Sequence, residues 1–361
     1  MKITSPSFGN AGVGIVALLK MLDYDVVPPP VTTGKTLSVG VQYSPEFACL
    51  PFKITLGGYV DCIEKGASTI LMLGGIGPCR FGYYVEVQRR IIKSMGYDYI
   101  DWLILDPGKG ISNLLYTVIK LFNRKGFKQI EEALKIAWLK LKIIDEIEIA
   151  AQNARPFENK KGLVEEYMNN AIKELDSKFS EKEIKEVPLK FKAKLPKVSQ
   201  EEHSELLKVG IVGEFYVVLD DFANLDIVRH LGEMGVLVEK AFYASDIVKA
   251  YIPILPKEKR EAEIISLAKP YIKRFVGAEG QKTIGYIIDF AKRGFDGVIH
   301  LLPFTCMPEV IAEGVIPCVV EDYNIPVLTI SLDEQTSQAG IITRLEAFVD
   351  MLKVRKLRRN K

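Results

Sequence analysis

Strand-like and helix-like segments alternate along most of this chain, and short connections containing glycine or proline separate them. The apolar run 69–73 predicts a buried strand, and the segment 82–95 has helical periodicity and ends at Gly96. Strands that alternate with helices are typical of a parallel sheet with helices packed against it. The sequence therefore predicts an α/β fold, with two doubly wound parallel-sheet domains and a helical segment between them.

Changes in this pattern divide the chain into three predicted parts. Residues 1–108 form an N-terminal α/β domain that carries Cys49 and Cys79. Residues 109–200 have apolar side chains three or four positions apart and many charges, which predicts helices. Residues 201–361 form a C-terminal α/β domain that carries Cys306. The predicted strands are 2–5, 37–41, 69–73, 102–105, 208–213, 297–302 and 327–331, and a long helical run is predicted from 257 to 279.

The composition excludes several classes of protein. In 361 residues, 48 Lys and Arg stand against 46 Asp and Glu, so the formal net charge of +2 does not call for nucleic acid or an anionic membrane. No run approaches the roughly 18 apolar residues of a membrane span, and the N-terminus lacks the pattern of a signal peptide. Five cysteines are too few for a disulfide scaffold. We expect a cytoplasmic protein with reduced thiols.

The sequence gives little support for a dinucleotide-binding loop or for a zinc site. Residues 9–14 follow a strand and open a helix, but their G-x-x-G-x-G spacing is not the dinucleotide fingerprint. This segment is either a tight turn or a loop that binds phosphate. Of the histidines, His203 lies in a charged linker, His230 on an amphipathic helix and His300 inside an apolar strand. None has the spacing of a zinc hydrolase, and the setting of His300 is typical of a core histidine.

Three cysteines share one predicted setting. Cys49, Cys79 and Cys306 each lie between a predicted strand and a helix, beside proline or glycine. Ligands of open parallel sheets bind at the carboxyl ends of strands, and a helix N-terminus favours a thiolate. Three converging thiolates suit an iron–sulfur cluster with one iron that lacks a cysteine ligand. The alternative is that these cysteines are buried packing residues at turns, as we expect for Cys62 and Cys318.

The cysteine segments also resemble a known family. The relevant segments are SPEFACLPFK at 44–53, GGIGPCRFGYY at 74–84, GEFY at 213–216, LPFTCMPE at 302–309, LDEQT at 332–336 and TRLEAF at 343–348. Together they resemble the 2-hydroxyacyl-CoA dehydratase superfamily, and within it the branch of acyl-CoA dehydratase activase-related proteins, also called CoA protein activases. The resemblance extends from residue 1 to about 352, and the helical middle contributes least to it.

This resemblance implies a cofactor and a partner. Family members bind [4Fe-4S] clusters, or a double-cubane [8Fe-9S] cluster, through cysteines at the junction of α/β domains, and Cys49, Cys79 and Cys306 match the ligand positions. The implied partner is an actin-like ATPase activator with its own iron–sulfur cluster, which delivers a low-potential electron as it hydrolyses ATP. In the dehydratases that electron reduces a thioester to a ketyl radical. Nucleotide-binding blocks of the activator are not recognisable in this chain.

The function expected from the resemblance is one-electron reduction of a small substrate such as an acyl-CoA, in anaerobic metabolism. Two other functions stay open: a non-catalytic subunit that carries a cluster or transfers electrons within a larger complex, and a metal-free binding fold that holds a phosphorylated ligand at residues 9–14. We expect a homodimer, with no nucleic acid or membrane as partner.

Residues near the cysteines have less specific roles, and no catalytic residue is assigned. Arg80 either tunes the cluster, through its charge or a hydrogen bond to sulfide, or forms an ordinary ion pair at the start of a helix. Glu46 and Glu309 either support the cysteine ligands or cap helices. Glu214 and Tyr216 follow the predicted strand 208–213, which would place them at the same edge of the second sheet.

Overall fold

The protein is described by a computed structural model, which covers residues 2–74, 79–106, 111–122, 125–197, 199, 205–251 and 259–359. The chain divides into two compact units. Unit 1 comprises Met1–Leu141 with Phe179–Glu181, and unit 2 comprises Lys142–Lys178 with Lys182–Lys361. The division into three parts at residues 108 and 200 stays a prediction.

Unit 1 contains a four-stranded parallel sheet. Its strands are β1 (Lys2–Thr4), β2 (Asp25–Val26), β3 (Thr69–Leu73) and β4 (Asp101–Leu105), in the order β2-β1-β3-β4. The first helices of the chain are α1 (Gly12–Met21), α2 (Gly34–Tyr43), α3 (Leu50–Glu64), α4 (Phe81–Ser94), α5 (Ile111–Phe122) and α6 (Phe127–Ala154). The boundary between the two units falls within α6.

The strand predicted at 37–41 is wrong, because these residues lie within α2. Thr33 begins this helix: its Oγ1 accepts a hydrogen bond from the Thr36 amide at 3.3 Å. The Thr36 hydroxyl in turn accepts one from the Thr33 amide at 3.4 Å. Such a capping box gives partners to N–H groups at a helix start that would otherwise lack them.

Tight packing between α2 and α3 also favours a helix here. A Cβ atom added to Gly40 would lie 1.8 Å from the carbonyl oxygen of Lys53 in α3, so only glycine allows this approach. As a result, Cys49 follows the helix α2, and the expectation that a strand precedes it is wrong. Cys49 nevertheless stands at the start of α3, as predicted.

Unit 2 contains a second four-stranded parallel sheet. Its strands are β5 (Leu207–Gly213), β6 (Val236–Lys240), β7 (Gly297–Pro303) and β8 (Val327–Leu332), in the order β6-β5-β7-β8. The later helices of the chain are α7 (Leu163–Ser177), α8 (Glu181–Lys192), α9 (Phe215–Leu219), α10 (Ile227–Glu233), α11 (Ala244–Tyr251), α12 (Lys259–Ala268), α13 (Gly280–Lys292), α14 (Met307–Tyr323) and α15 (Gln338–Arg359). β6 was not among the predicted strands. The helical run predicted from 257 to 279 is wrong beyond Ala268, where α12 ends.

The two sheets have the same strand order and are flanked by helices, which confirms the predicted doubly wound α/β fold. In each sheet the order reverses between the first and third strands of that unit, β1 and β3 or β5 and β7. Doubly wound sheets bind ligands beyond the carboxyl ends of the strands at this reversal. All seven residues of β7 are buried, so its carboxyl end lies in the core. Among the described residues, no helix combines the length and apolar character that a membrane span requires.

Candidate functional site

Cys49 begins α3 and is partly buried. The partial positive charge at the helix N-terminus favours the thiolate form of a cysteine placed there. Its sulfur contacts the hydroxyl group of Tyr84 in α4. The preceding loop is held by two cations: Lys53 Nζ donates to the carbonyl oxygen of Glu46 at 3.0 Å, and Arg80 Nη1 donates to that of Phe47 at 3.1 Å.

Cys79 lies at the start of α4, next to Arg80, which is the cap residue of this helix. It is partly buried, and its carbonyl oxygen accepts a hydrogen bond from the Gly82 amide at 3.3 Å. Residues 75–78, which precede it in the sequence motif, lie outside the described residues. The hydrogen bond from Arg80 to Phe47 joins the Cys79 segment to the loop before Cys49. Unit 1 therefore joins two thiol-bearing segments, each at the start of a helix.

Side chains along α3 and α4 hold these two helix starts together. Gln88 Nε2 donates to Thr55 Oγ1 at 2.8 Å and to the carbonyl oxygen of Phe52 at 3.3 Å. The rings of Phe52 and Tyr84 meet edge to face, with 5.0 Å between their centroids. The position of Cys49 relative to α4 thus depends on buried contacts rather than on a surface loop alone.

Cys306 has the corresponding setting in unit 2. It is the cap residue of α14, directly after the carboxyl end of β7, and is 7% exposed. Its amide donates to the carbonyl oxygen of Pro303 at 2.9 Å. Thr305 has a φ of +67°, which a β-branched residue adopts only where the chain turns sharply. The structure places Cys306 at the end of a strand and the start of a helix, as the sequence predicts.

A buried hydrogen-bonded group lies under the start of α14. Glu309 Oε2 is 2.9 Å from His300 Nε2 and accepts a hydrogen bond from Thr283 Oγ1 at 2.9 Å. His300 and Glu309 are fully buried, and Glu309 Oε1 has no hydrogen-bond partner among the described residues. His300 is therefore a core histidine with a partner, as its apolar setting predicts. Its pairing with Glu309 left no signal in the sequence.

Glu214 caps α9 at the carboxyl end of β5, the place expected from the sequence. Its Oε2 accepts hydrogen bonds from the amides of Tyr216 and Val217 at 3.0 and 3.2 Å. Its own amide donates to the carbonyl oxygen of Leu301 in β7 at 3.0 Å, so it lies at the strand-order reversal. Burial raises the pKa of Glu214 to about 8, and the nearby carboxylate of Glu309 adds to the rise.

We expect Glu214→Gln to make stability less dependent on pH. The folded carboxyl group has a raised pKa, so it binds its proton more tightly than the unfolded one does. Stability therefore falls as pH rises from about 4.5 to about 8. The glutamine keeps an oxygen for the helix cap and does not ionise. At pH 9 the variant should gain on the order of 5 kcal/mol over the wild type, and at pH 4 almost nothing. Urea unfolding at both pH values measures this, and equal gains at both would contradict it.

The other residues singled out in the sequence do not join these groups. His230 Nε2 is 3.1 Å from Gln338 Nε2, and His203 lies outside the described residues. Cys62 is buried in the core, as predicted, whereas Cys318 is exposed on α14, so the packing role predicted for it is wrong. The segment 9–14 turns into α1, and a Cβ on Gly14 would lie 2.7 Å from the side chain of Leu141. This glycine therefore serves close packing.

The chemistry of the cysteine segments bears on whether they could hold a metal. Among the residues that the structure describes, no group of three or more His, Cys, Asp or Glu side chains is arranged to hold a metal ion. The donor chemistry does fit thiolate ligation: each thiol lies at the start of a helix, and cations hold the loop before Cys49. Each cysteine can serve as a ligand, and binding by all three together is a proposal.

The chain is thus an α/β protein with two doubly wound units, and it carries thiols at the starts of helices. Doubly wound sheets in general bind ligands beyond the carboxyl ends of their strands. A family model described as 2-hydroxyglutaryl-CoA dehydratase, D-component, matches residues 154–352. This match covers more than half of the chain. The chain therefore belongs to that family. The matched region contains Cys306, Glu214 and Glu309, while Cys49 and Cys79 precede it. None of the curated proteins compared matches the chain.

Proposed function

We propose that this chain is an iron–sulfur component of the 2-hydroxyacyl-CoA dehydratase type. It accepts low-potential electrons from an ATP-dependent activator and carries out one-electron reduction of a small substrate such as an acyl-CoA. The observation that carries the proposal is the recurrence of thiols at the starts of α3, α4 and α14 in a member of the dehydratase family.

Cys49, Cys79 and Cys306 would hold a [4Fe-4S] cluster, or part of a double-cubane [8Fe-9S] cluster. Thiolates are the usual ligands of both kinds of cluster, which carry negative charge on their sulfur atoms. When bound, the cluster supplies one-electron chemistry at low potential. The positive end of each helix and the cation of Arg80 lower the energy of thiolates at these positions.

The chain's own residues position the ligands. Arg80 and Lys53 fix the loop before Cys49 by donating hydrogen bonds to its carbonyl oxygens. Glu309, through His300 and Thr283, ties the first turn of α14 to β7 and α13, and thereby fixes the backbone that carries Cys306. Preorganised ligands of this kind reduce the rearrangement that accompanies a change of oxidation state.

The proposed partner is an actin-like ATPase activator that carries its own iron–sulfur cluster, and the proposed assembly of this chain is a homodimer. Sedimentation of the anaerobically purified protein measures the assembly. Activator-dependent reduction of the cluster, followed by its absorbance with and without ATP, measures electron delivery. Reduction that needs no ATP would contradict this part of the proposal.

We expect Cys79→Ser to lose most of its iron. A serine hydroxyl is a poor iron ligand, and Cys79 supplies one of three proposed thiolates. Iron and acid-labile sulfide per chain are measured after strictly anaerobic purification and after reconstitution, together with the electron paramagnetic resonance spectrum of the dithionite-reduced protein. About four irons per chain in the wild type supports a single cubane, and about eight supports the double cubane.

Cys318→Ser is the matched control, because Cys318 is exposed on α14 and is not a proposed ligand. It should retain the iron content of the wild type. Full iron retention in Cys79→Ser, or a wild-type protein that takes up no iron on reconstitution, would overturn the proposal. A spectrum that changes when an acyl-CoA is added supports reduction of substrate by this chain, and an unchanged spectrum supports the role of a cluster-carrying subunit.

A further inference from the structure

Tyr84 is held so that its hydroxyl group stays at the sulfur of Cys49. The side chain is 6% exposed. Its ring is clamped between Phe52 of α3, at 5.0 Å between centroids, and Phe81 of α4, at 5.3 Å. The hydroxyl at the far end of this ring contacts Cys49 Sγ across the two helices. A rigid aromatic side chain therefore brings a hydrogen-bonding group to a proposed iron ligand.

The direction of this hydrogen bond follows from the chemistry of the two groups. A thiolate that binds iron carries no proton and can only accept, whereas a tyrosine hydroxyl has a proton to donate. With iron bound, Tyr84 must therefore be the donor. Reduction of a cluster places additional negative charge on its ligand sulfurs, so a donor at one of them stabilises the reduced state more than the oxidised one.

We propose that the Tyr84 hydroxyl donates a hydrogen bond to the sulfur of Cys49 and thereby raises the reduction potential of the cluster. This inference rests on the proposed function, since it assigns Tyr84 a role toward the cluster that Cys49 helps to hold. Tyr84 acts through Cys49 and is a tuning residue, not a catalytic one.

The test compares Tyr84→Phe with Tyr59→Phe. Both substitutions remove one buried hydroxyl that contacts a sulfur atom and keep the aromatic ring. In the control, the Tyr59 hydroxyl donates to the thioether sulfur of Met72 at 2.8 Å, away from the proposed ligands. Anaerobic redox titration, with dithionite as the electron donor, measures the midpoint potential of each protein.

We expect Tyr84→Phe to bind as much iron as the wild type and to show a more negative potential. The expected change in the ratio of reduced to oxidised cluster at a fixed potential is about tenfold, or about 59 mV for a one-electron couple. Tyr59→Phe should match the wild type. An unchanged potential in Tyr84→Phe with full iron content, or an equal shift in Tyr59→Phe, would overturn the proposed tuning.

A second measurement does not depend on iron. In the metal-free protein, at a pH low enough to keep the thiol protonated, the infrared S–H stretching band of Cys49, assigned by its loss in Cys49→Ser, should shift in Tyr84→Phe and stay in place in Tyr59→Phe. A band that Tyr84→Phe does not move overturns the hydrogen bond itself. If the wild type binds no iron, the proposed function and the tuning both fail, whereas this band still decides whether Tyr84 and Cys49 are hydrogen-bonded.

Discussion

Gly57→Ala should destabilise unit 1 strongly, by about 3 kcal/mol or more. A Cβ atom at this position would lie 1.9 Å from the carbonyl oxygen of Thr36, and Gly40 makes the reciprocal approach to Lys53 on α3. These contacts are with backbone atoms, which cannot move aside as a flexible side chain does. The helices α2 and α3 would have to separate, and overpacking of this kind commonly costs 1–3 kcal/mol even where side chains can adjust.

The neighbouring Gly58→Ala provides a control on the same helix. A Cβ atom there would lie 4.0 Å from Pro30 Cδ, an ordinary contact, and alanine is favoured over glycine in a helix by up to about 1 kcal/mol. Gly58→Ala should therefore leave the free energy of unfolding unchanged or raise it. Urea denaturation, with near-ultraviolet circular dichroism as the signal, compares both variants with the wild type. Equal stability of Gly57→Ala and Gly58→Ala would contradict the close crossing of α2 and α3.

Glu309→Ala should destabilise unit 2 by about 2–4 kcal/mol. The substitution leaves His300 Nε2 and Thr283 Oγ1 buried without their shared acceptor and opens a cavity beneath the start of α14. Buried polar groups that lose a hydrogen-bond partner cost about 1–3 kcal/mol each. Because Glu309 fixes the first turn of α14, the same variant should also make the Cys306 thiol more accessible to alkylation.

Glu313→Ala is a suitable control, since Glu313 is exposed on the same helix. Its effect should stay within about 0.5 kcal/mol. A double-mutant cycle with His300→Ala and Glu309→Ala measures the pairing itself, and a coupling of about 1–3 kcal/mol is expected for side chains in one buried network. Additive effects of the two substitutions would show that the contact contributes little to stability.

The sequence predicted most of the fold because hydrophobic periodicity reports burial directly. The strands β3, β5 and β7 are apolar runs between glycines and turns, and they lie where predicted. The prediction of a strand at 37–41 was wrong, because the apolar alternation there is also typical of a strand. Its helical state depends on the Thr33 cap and on Gly40, whose close approach to α3 is a tertiary contact. Contacts of this kind are not visible in local periodicity.

The candidate site was predictable only in part, for a related reason. Proline or glycine beside cysteine marks a turn, so the helix starts at Cys49 and Cys306 follow from local sequence. The support of these cysteines comes from other elements. Tyr84 reaches Cys49 from the next helix, and His300 reaches Glu309 from a strand. Residues that act across elements leave no signal in the spacing of a single motif.

The two halves of the chain share one strand order and the same placement of helices around the third strand. In each half, one helix leads into the third strand and another follows it: α3 and α4 around β3, and α13 and α14 around β7. Cys79 and Cys306 stand at the start of the second helix of each pair. Cys49 caps the first helix in one half, whereas Glu279 caps it in the other. At this matching helix start, one half of the chain therefore carries a thiol and the other a carboxylate, so only the first half offers two thiols around its third strand.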